Sequence, residues 1–306
     1  MNFDRAFLRA FLHATPAVFV LIWSTGFVVA RLAMPHAQPL SFLAARYALS
    51  MLAFGIWIAV AGAAWPRNRA QGLHLGVTGV LIHAGYLGGV WCAVKAGLGA
   101  GMASLIVGLQ PVLTALWISA AGQEHRIAPR QWLGLLLGLF GLVMVVWHKL
   151  QVGQAQLSNV ALALLALASI TAGTLYQKRW VQACDVRTAN FVQLTAALLV
   201  TLPLAWFEPR GFDLTRELVF ALAWSVFALT LGGSSLLYLL IQRGAAATVS
   251  SLMYLVPPCT AVLAWWLFGE TLSGLVLAGL GLTAVGVALV VRTPLVSQPA
   301  LKETPP

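Results

Sequence analysis

The sequence predicts an all-α, polytopic membrane protein with about ten transmembrane helices in two inverted five-helix repeats. Two observations lead to this prediction: ten long segments without a charged residue, and a sequence similarity between the two halves of the chain. Of the 306 residues, 60% are hydrophobic and only 8% are charged, whereas a soluble domain carries about 25% charged residues. So few charges cannot cover a surface that faces water, and we expect lipid to surround most of this chain.

The charged residues separate ten apolar windows of membrane-spanning length. These windows are residues 10–30, 47–66, 70–94, 96–123, 131–148, 150–177, 188–207, 218–242, 244–269 and 271–291. Each is near or above the roughly 17–25 residues that a helix needs to cross a bilayer. Only helices and closed barrels satisfy the backbone in hydrocarbon, and these windows are too long and too uniformly apolar for barrel strands. We therefore predict one helix for each window.

The positive charges predict the orientation, because lysine and arginine are enriched in short cytoplasmic loops. With a cytoplasmic N-terminus, 12 of them fall inside: Arg5, Arg9, Arg67, Arg69, Arg126, Arg130, Lys178, Arg179, Arg187, Arg243, Arg292 and Lys302. Five fall outside: Arg31, Lys95, Lys149, Arg210 and Arg216. Arg46 is left out of this count because it lies within a predicted helix. The bias places both termini in the cytoplasm, and the cations, scattered singly between apolar windows, do not predict nucleic-acid binding.

The two halves of the chain resemble each other at an offset of about 146 residues. In segments 103–124 and 249–270, the matched pairs include Ser104 with Ser250, Pro111 with Pro257 and Glu124 with Glu270. A unit of this length holds five windows, and since five is odd, the second unit must be inverted in the membrane. Inverted repeats are typical of transporters, which bind substrate near the bilayer midplane. We predict repeats over residues 1–149 and 150–293, followed by a disordered tail over residues 294–306.

Pro111 and Pro257 occupy matching places inside the fourth and ninth windows. Proline removes an intrahelical hydrogen bond and kinks a helix. The pair is interpreted either as two hinges that line a cavity or as two static packing kinks.

Several segments together resemble the ten-helix EamA-type branch of the drug/metabolite transporter superfamily. The matching segments are IWSTGFVVARLAM (22–34), PLSFLAARYALSML (39–52) and CAVKAGLGAGMASLIVGLQPVLTALW (92–117), with the endings GQE and FGE after the fourth and ninth windows. The family's Gly-Glu ending carries an inserted glutamine in the first copy. The resemblance implies a bacterial inner-membrane exporter of amino acids, aromatic or other neutral ones included, or of related metabolites. We expect a small-molecule substrate, the lipid bilayer as a partner, no cofactor, no enzymatic activity and a monomer.

Two buried ionisable residues are the first candidates for substrate contact, because such groups in a membrane are commonly functional. Pro39 and the candidate N-cap Ser41 predict that the second helix begins near Leu40, which places Arg46 inside the membrane. Arg46 either snorkels or bonds to a neighbouring helix, or it binds a substrate carboxylate. His83 is either a histidine bonded between helices or a proton-linked or substrate contact, and Tyr86 lies one turn further along the same helix.

Other aromatic and polar side chains of the apolar windows extend this candidate substrate site. They are Trp23, Ser24, Gln110, Trp117, Tyr176, Gln177, Tyr238, Gln242 and Tyr254. Together they are expected to form a mostly apolar cavity with a few polar contacts, as is usual for small-molecule sites. For any one of the aromatic residues, lipid contact or core packing remains the alternative.

The acidic residues distinguish between the possible functions. All eight lie at window edges, in loops or in tails: Asp4, Glu124, Asp185, Glu208, Asp213, Glu217, Glu270 and Glu303. A multidrug transporter that exchanges protons for organic cations through a membrane-embedded glutamate is therefore disfavoured.

A nucleotide-sugar transporter would need several buried cations, and Arg46 is nearly alone. The histidines and cysteines form no metal or catalytic spacing, which disfavours an intramembrane enzyme and predicts no metal site. A structural or signalling membrane protein remains a further alternative.

Overall fold

The computed structural model describes residues 2–66, 68–120, 129–153, 155–209, 211–233, 236 and 255–291. These residues form ten helices. They are α1 (Asn2–Ala33), α2 (Pro39–Ala61), α3 (Arg69–Lys95), α4 (Ala100–Val107 and Gln110–Ala120), α5 (Pro129–Gln151), α6 (Leu157–Trp180), α7 (Val186–Ala205), α8 (Arg216–Gly233), α9 (Val256–Phe268) and α10 (Gly274–Val291). The predicted tail lies outside the described residues, and so do residues 121–128.

Six of these helices are long and apolar enough to cross a membrane by length and composition: α2, α3, α5, α6, α7 and α8. Four shorter apolar segments belong to α1, α4, α9 and α10. The ten segments follow the ten windows in order, which confirms the predicted all-α, multi-pass membrane fold.

Three helices change their geometry midway. Val80–Leu87 of α3 and Ser225–Gly233 of α8 are wound as π-helix, a rare conformation that is frequent at functional sites. The α4 helix is divided at Gly108 and Leu109, between Val107 and Gln110. Proline is accepted in the first turn of a helix, where its missing N–H has no helical partner. Pro111 therefore lies in the first turn of a new helical segment and not within a continuous helix.

The break in α4 lies directly against the proline of the other repeat. A Cβ atom added to Gly108 would lie 2.7 Å from Cγ of Pro257, which is the second residue of the described α9. Only glycine allows this approach. Pro257 therefore packs against the break in α4, three residues before Pro111.

Equivalent helices of the two repeats pack against each other. Helix α2 contacts α7, α4 contacts α9, and α5 contacts α10 over most of its length. Between α5 and α10 the backbones touch: a Cβ atom on Gly286 would lie 2.5 Å from the Gly134 carbonyl oxygen, and one on Gly141 would lie 2.6 Å from the Gly279 carbonyl oxygen. Small residues allow close packing of membrane helices. The described part of the chain is thus built around a pseudo-twofold relation between repeats.

Five connecting segments meet at one end of the bundle, which we call the five-loop face. Their described residues are 34–38, 96–99, 152–153 with 155–156, 206–209 with 211–215, and 269–273. Polar contacts link them. Lys95 Nζ donates to the Met34 carbonyl oxygen at 2.7 Å, and Asn159 Nδ2 donates to the Ala96 carbonyl oxygen at 3.1 Å. The Asp213 N–H donates to the His36 carbonyl oxygen at 2.9 Å. The sequence assigned the same five loops to the outside.

Candidate functional site

Arg46 lies in the second turn of α2, with 7% of its surface exposed. Its Nε and Nη2 atoms donate to Oγ1 of Thr230 on α8, at 3.3 and 3.1 Å. Thr230 Oγ1 donates its own proton to the Ser225 carbonyl oxygen at 2.8 Å, so this partner is neutral. A guanidinium has five N–H donors, and no other side chain among the described residues accepts from Arg46. A buried charge is usually paired, and no described carboxylate pairs with this one.

His83 forms a second polar pair, with Gln193. The His83 side chain lies within hydrogen-bonding reach of the Gln193 side chain on α7. The hydroxyl of Tyr47, the residue after Arg46, donates to the His83 carbonyl oxygen at 2.8 Å. Tyr86 is buried and lies near enough to Arg46 for an electrostatic interaction. Helices α2, α3, α7 and α8 thus contribute to one central cluster, defined as Arg46, Tyr47, His83, Tyr86, Gln193 and Thr230.

The two pairs are related by the pseudo-symmetry. Arg46 and Gln193 are each the eighth residue of their helix, and His83 and Thr230 are each the fifteenth. Both correspondences give an offset of 147, since 193 − 46 = 147 and 230 − 83 = 147. The helix caps follow the same register: Asn68 accepts from the Gln71 N–H, and Thr215 accepts from the Leu218 N–H. The pair Arg46–Thr230 and the pair Gln193–His83 therefore occupy equivalent positions in the two repeats.

Other predicted site residues lie apart from the central cluster. Ser24 Oγ donates to the Val20 carbonyl oxygen at 2.7 Å, and the Ser24 carbonyl oxygen accepts from Thr260 on α9 at 3.3 Å. Trp23, next to it, is partly buried and packs against the core. These contacts place Ser24 at the α1–α9 junction, whereas Trp23 lies against α8, 3.7 Å from a Cβ atom added to Gly233.

Three further candidates lie on α4 and α6. Gln110 Nε2 donates to Thr174 Oγ1 at 3.1 Å, across the junction of α4 and α6. Tyr176 pairs with the imidazole of His74 at 2.8 Å. Trp117 is 57% exposed and Gln177 is also exposed, and the structure joins neither of them to the central cluster. Tyr238, Gln242 and Tyr254 lie outside the described residues.

Two carboxylates of the second repeat cap helices of the first repeat at the five-loop face. Glu208 accepts from the Leu40 N–H at 2.9 Å, and from the N–H and hydroxyl of Ser41 at 2.8 Å each. Glu270 accepts from the Ala100 N–H at 2.8 Å and from the Gly101 N–H at 3.3 Å. Carboxylates stabilise helix N-termini by bonding free N–H groups and by opposing the helix dipole. These contacts link the two repeats at the five-loop face.

This cap corrects one sequence-based assignment. Helix α2 begins at Pro39 with Gln38 at the N-cap position, so Ser41 is its third residue. Ser41 was expected to supply the cap, but Glu208, 167 residues further along the chain, supplies it instead. A capping side chain from a distant helix leaves no local sequence signal. The partners Gln193 and Thr230 were missed as well, because the sequence offset of 146 leads from Arg46 and His83 to their neighbours Val192 and Leu229, and only the structural offset of 147 leads to the partners.

Comparisons with known proteins agree with this architecture. The model of the family described as "EamA-like transporter family" matches residues 15–147 and 157–292. A protein of Salmonella typhimurium named "Probable amino-acid metabolite efflux pump" is 28% identical over 277 residues, covering 87% of this chain and 90% of the relative. A protein of Escherichia coli with the same name is 24% identical over the same shares. An "Uncharacterized transporter" of Archaeoglobus fulgidus is 22% identical over 287 residues.

A solved crystal structure has a similar fold. It superposes with a TM-score of 0.63 at 19% identity, over 90% of this chain and 95% of the other.

Proposed function

Because the chain belongs to the EamA-like transporter family, we propose that it exports amino acids, aromatic or other neutral ones included, or related small metabolites from the bacterial cytoplasm. It acts as a monomer in the inner membrane, with both termini inside. Family membership supports a transporter and disfavours an enzyme. The names of the Salmonella and Escherichia relatives support the class of cargo.

The observation that carries this proposal is the central cluster. It joins α2 and α3 of the first repeat to α7 and α8 of the second. Transporters with inverted repeats hold substrate where the repeats meet, near the midplane. The two π-helical segments lie at this junction, where their irregular hydrogen bonding frees backbone groups. We therefore assign substrate binding to the central cluster.

The transport cycle proposed is alternating access, in which one repeat rocks against the other around the central cluster. In this proposal the bonds of Glu208 and Glu270 belong to the state that is closed at the five-loop face, which the charge bias assigns to the outside. In the proposed cycle these capping bonds break when the outer side opens. Pro111 and Pro257 act as the hinges, because the break in α4 contacts Pro257 and gives both helices a place to bend.

The direct test is efflux from proteoliposomes loaded with radiolabelled solutes. We expect proteoliposomes to release one or more neutral amino acids, such as L-phenylalanine or L-leucine, faster than protein-free liposomes do. We expect no accelerated release of organic cations such as tetraphenylphosphonium, since no acidic residue lies within a membrane window. Accelerated efflux of the cation without any efflux of amino acids would contradict the proposal.

A further inference from the structure

The two helix pairs that carry the central cluster, α2 with α8 and α7 with α3, differ beside the cluster in one respect that symmetry alone does not explain. Position by position, the α2–α8 half holds Arg46, Ser50 and Ser225, whereas the α7–α3 half holds Gln193, Ala197 and Thr78 at the same offset of 147. One half therefore carries a positive charge and two serine hydroxyls. The other half carries no charge.

The hydroxyl groups of the charged half are unsatisfied. Ser50 and Ser225 are fully buried, and neither side-chain oxygen has a hydrogen-bond partner among the described residues. Ser50 lies four residues after Arg46 and so on the same side of α2. Buried polar groups without a partner are rare, and each suggests an unseen ligand or water.

The uncharged half is satisfied and more tightly closed. Thr78, the equivalent of Ser225, donates its hydroxyl to the His74 carbonyl oxygen at 2.9 Å. Gly79 lets α3 touch the α7 backbone, because an added Cβ atom would lie 2.6 Å from the Cα atom of Gln193. The equivalent residue of α8 is Val226, which is buried. The unmet hydrogen bonds therefore belong to the charged half and not to its counterpart.

From this asymmetry we infer that Arg46, Ser50 and Ser225 form an anion subsite that binds the carboxylate of the transported solute. A carboxylate would neutralise the guanidinium through charge-assisted bonds, and its remaining lone pairs would accept from the serine hydroxyls. The uncharged half, with His83 and Gln193, faces the rest of the solute and offers it no second charge. The subsite selects monocarboxylates over their amides and esters. This inference rests on the proposed function and adds the solute class to it.

Ligand-induced thermal stabilisation of the detergent-solubilised full chain tests the subsite without requiring transport. The probes are L-phenylalanine, 3-phenylpropionate and L-phenylalaninamide. We expect both carboxylates to stabilise the wild-type protein and the amide to bind about tenfold more weakly or worse, because a bond to a charged group is lost. Stabilisation by the amide equal to that by the free acids would overturn the inference.

The pseudo-symmetry supplies controls for the variants, because each position of the charged half has an equivalent position in the uncharged half. Arg46→Gln copies the residue of the other half and is expected to abolish the preference for the free acid, whereas Arg46→Lys retains it at lower affinity. Ser225→Ala is expected to weaken carboxylate binding several-fold. Its matched control, Thr78→Ala, removes the equivalent hydroxyl from a self-satisfied position and leaves carboxylate binding unchanged. Equal effects of Ser225→Ala and Thr78→Ala would overturn the inference.

The inference and the proposed function fail in different ways. If the protein exports an amino acid and its amide and ester equally fast, the proposed exporter function stands and the anion subsite is wrong. If carboxylate binding depends on Arg46 but no amino acid leaves the proteoliposomes, the anion subsite stands and the proposed exporter function is wrong.

Discussion

Replacing Glu208 and Glu270 together by alanine is expected to open the five-loop face. The two carboxylates accept four backbone N–H bonds and one hydroxyl bond across the repeats. Loss of one helix cap costs about 1 kcal/mol, and bonds to a charged acceptor are stronger, at about 1.5–3 kcal/mol. Loss of both caps is therefore expected to raise the population of the outward-open state about tenfold or more, since about 1.4 kcal/mol corresponds to a factor of ten.

Thiol labelling measures this opening. Ala103 is fully buried one turn below the Ala100 cap, and Ala103→Cys places a small reporter there after Cys92, Cys184 and Cys259 are replaced by serine. The double glutamate variant should increase the labelling rate by a membrane-impermeant maleimide about tenfold. Glu217→Ala is the matched control, because Glu217 is an exposed acid at the start of α8 on the same face. Equal labelling rates in the double variant and the control would show that the carboxylates do not hold this face closed.

The α5–α10 contact provides the second large effect. Gly286→Ala would bring a methyl group within 2.5 Å of the Gly134 carbonyl oxygen and 2.9 Å of the Gly138 Cα atom. Because these are backbone atoms, the two helices must separate. Overpacking of this kind costs about 1–3 kcal/mol. We expect a clear fall in the unfolding temperature in detergent and loss of transport.

The control for this substitution lies five residues away on the same helix. Nothing lies within 4 Å of a Cβ atom added to Gly281, so Gly281→Ala adds the same methyl group without a collision. Its unfolding temperature should equal that of the wild type or exceed it slightly, because alanine favours helix. Equal destabilisation by both variants would mean that the repeats are not held together through this contact.

The fold could be predicted from the sequence because the apolar windows follow from the positions of the charged residues, and the repeat follows from matching residues at a constant offset. At an offset of 145, Gly134, Gly138 and Gly141 of the first half correspond to Gly279, Thr283 and Gly286 of the second half. In the structure the two sets pack on each other in the reverse order, Gly134 against Gly286 and Gly141 against Gly279. Symmetry read from the sequence therefore indicates which residues correspond, while the contact between them appears only in three dimensions.

The candidate site was harder to predict, because the direction of a side chain depends on packing between helices. Arg46, His83 and Tyr86 were chosen for polarity within a window, and they do lie together. Trp117 and Gln177 met the same criterion and are exposed. The π-helical segments and the remote cap by Glu208 depend on tertiary contacts that no local pattern encodes. A polar residue in an apolar window thus indicates a candidate, and its partner decides the role.

The proposed site and the proposed cycle both require two repeats that enter the membrane in opposite directions. Single reporters, Gln123→Cys and Thr271→Cys in a chain without its native cysteines, place a thiol in each of the two equivalent segments that follow the fourth and ninth windows. With a membrane-impermeant maleimide on intact cells, the account predicts labelling at position 271, and labelling at position 123 only after permeabilisation. Labelling of both positions from the same side would contradict the inverted repeat and the alternating-access cycle built on it.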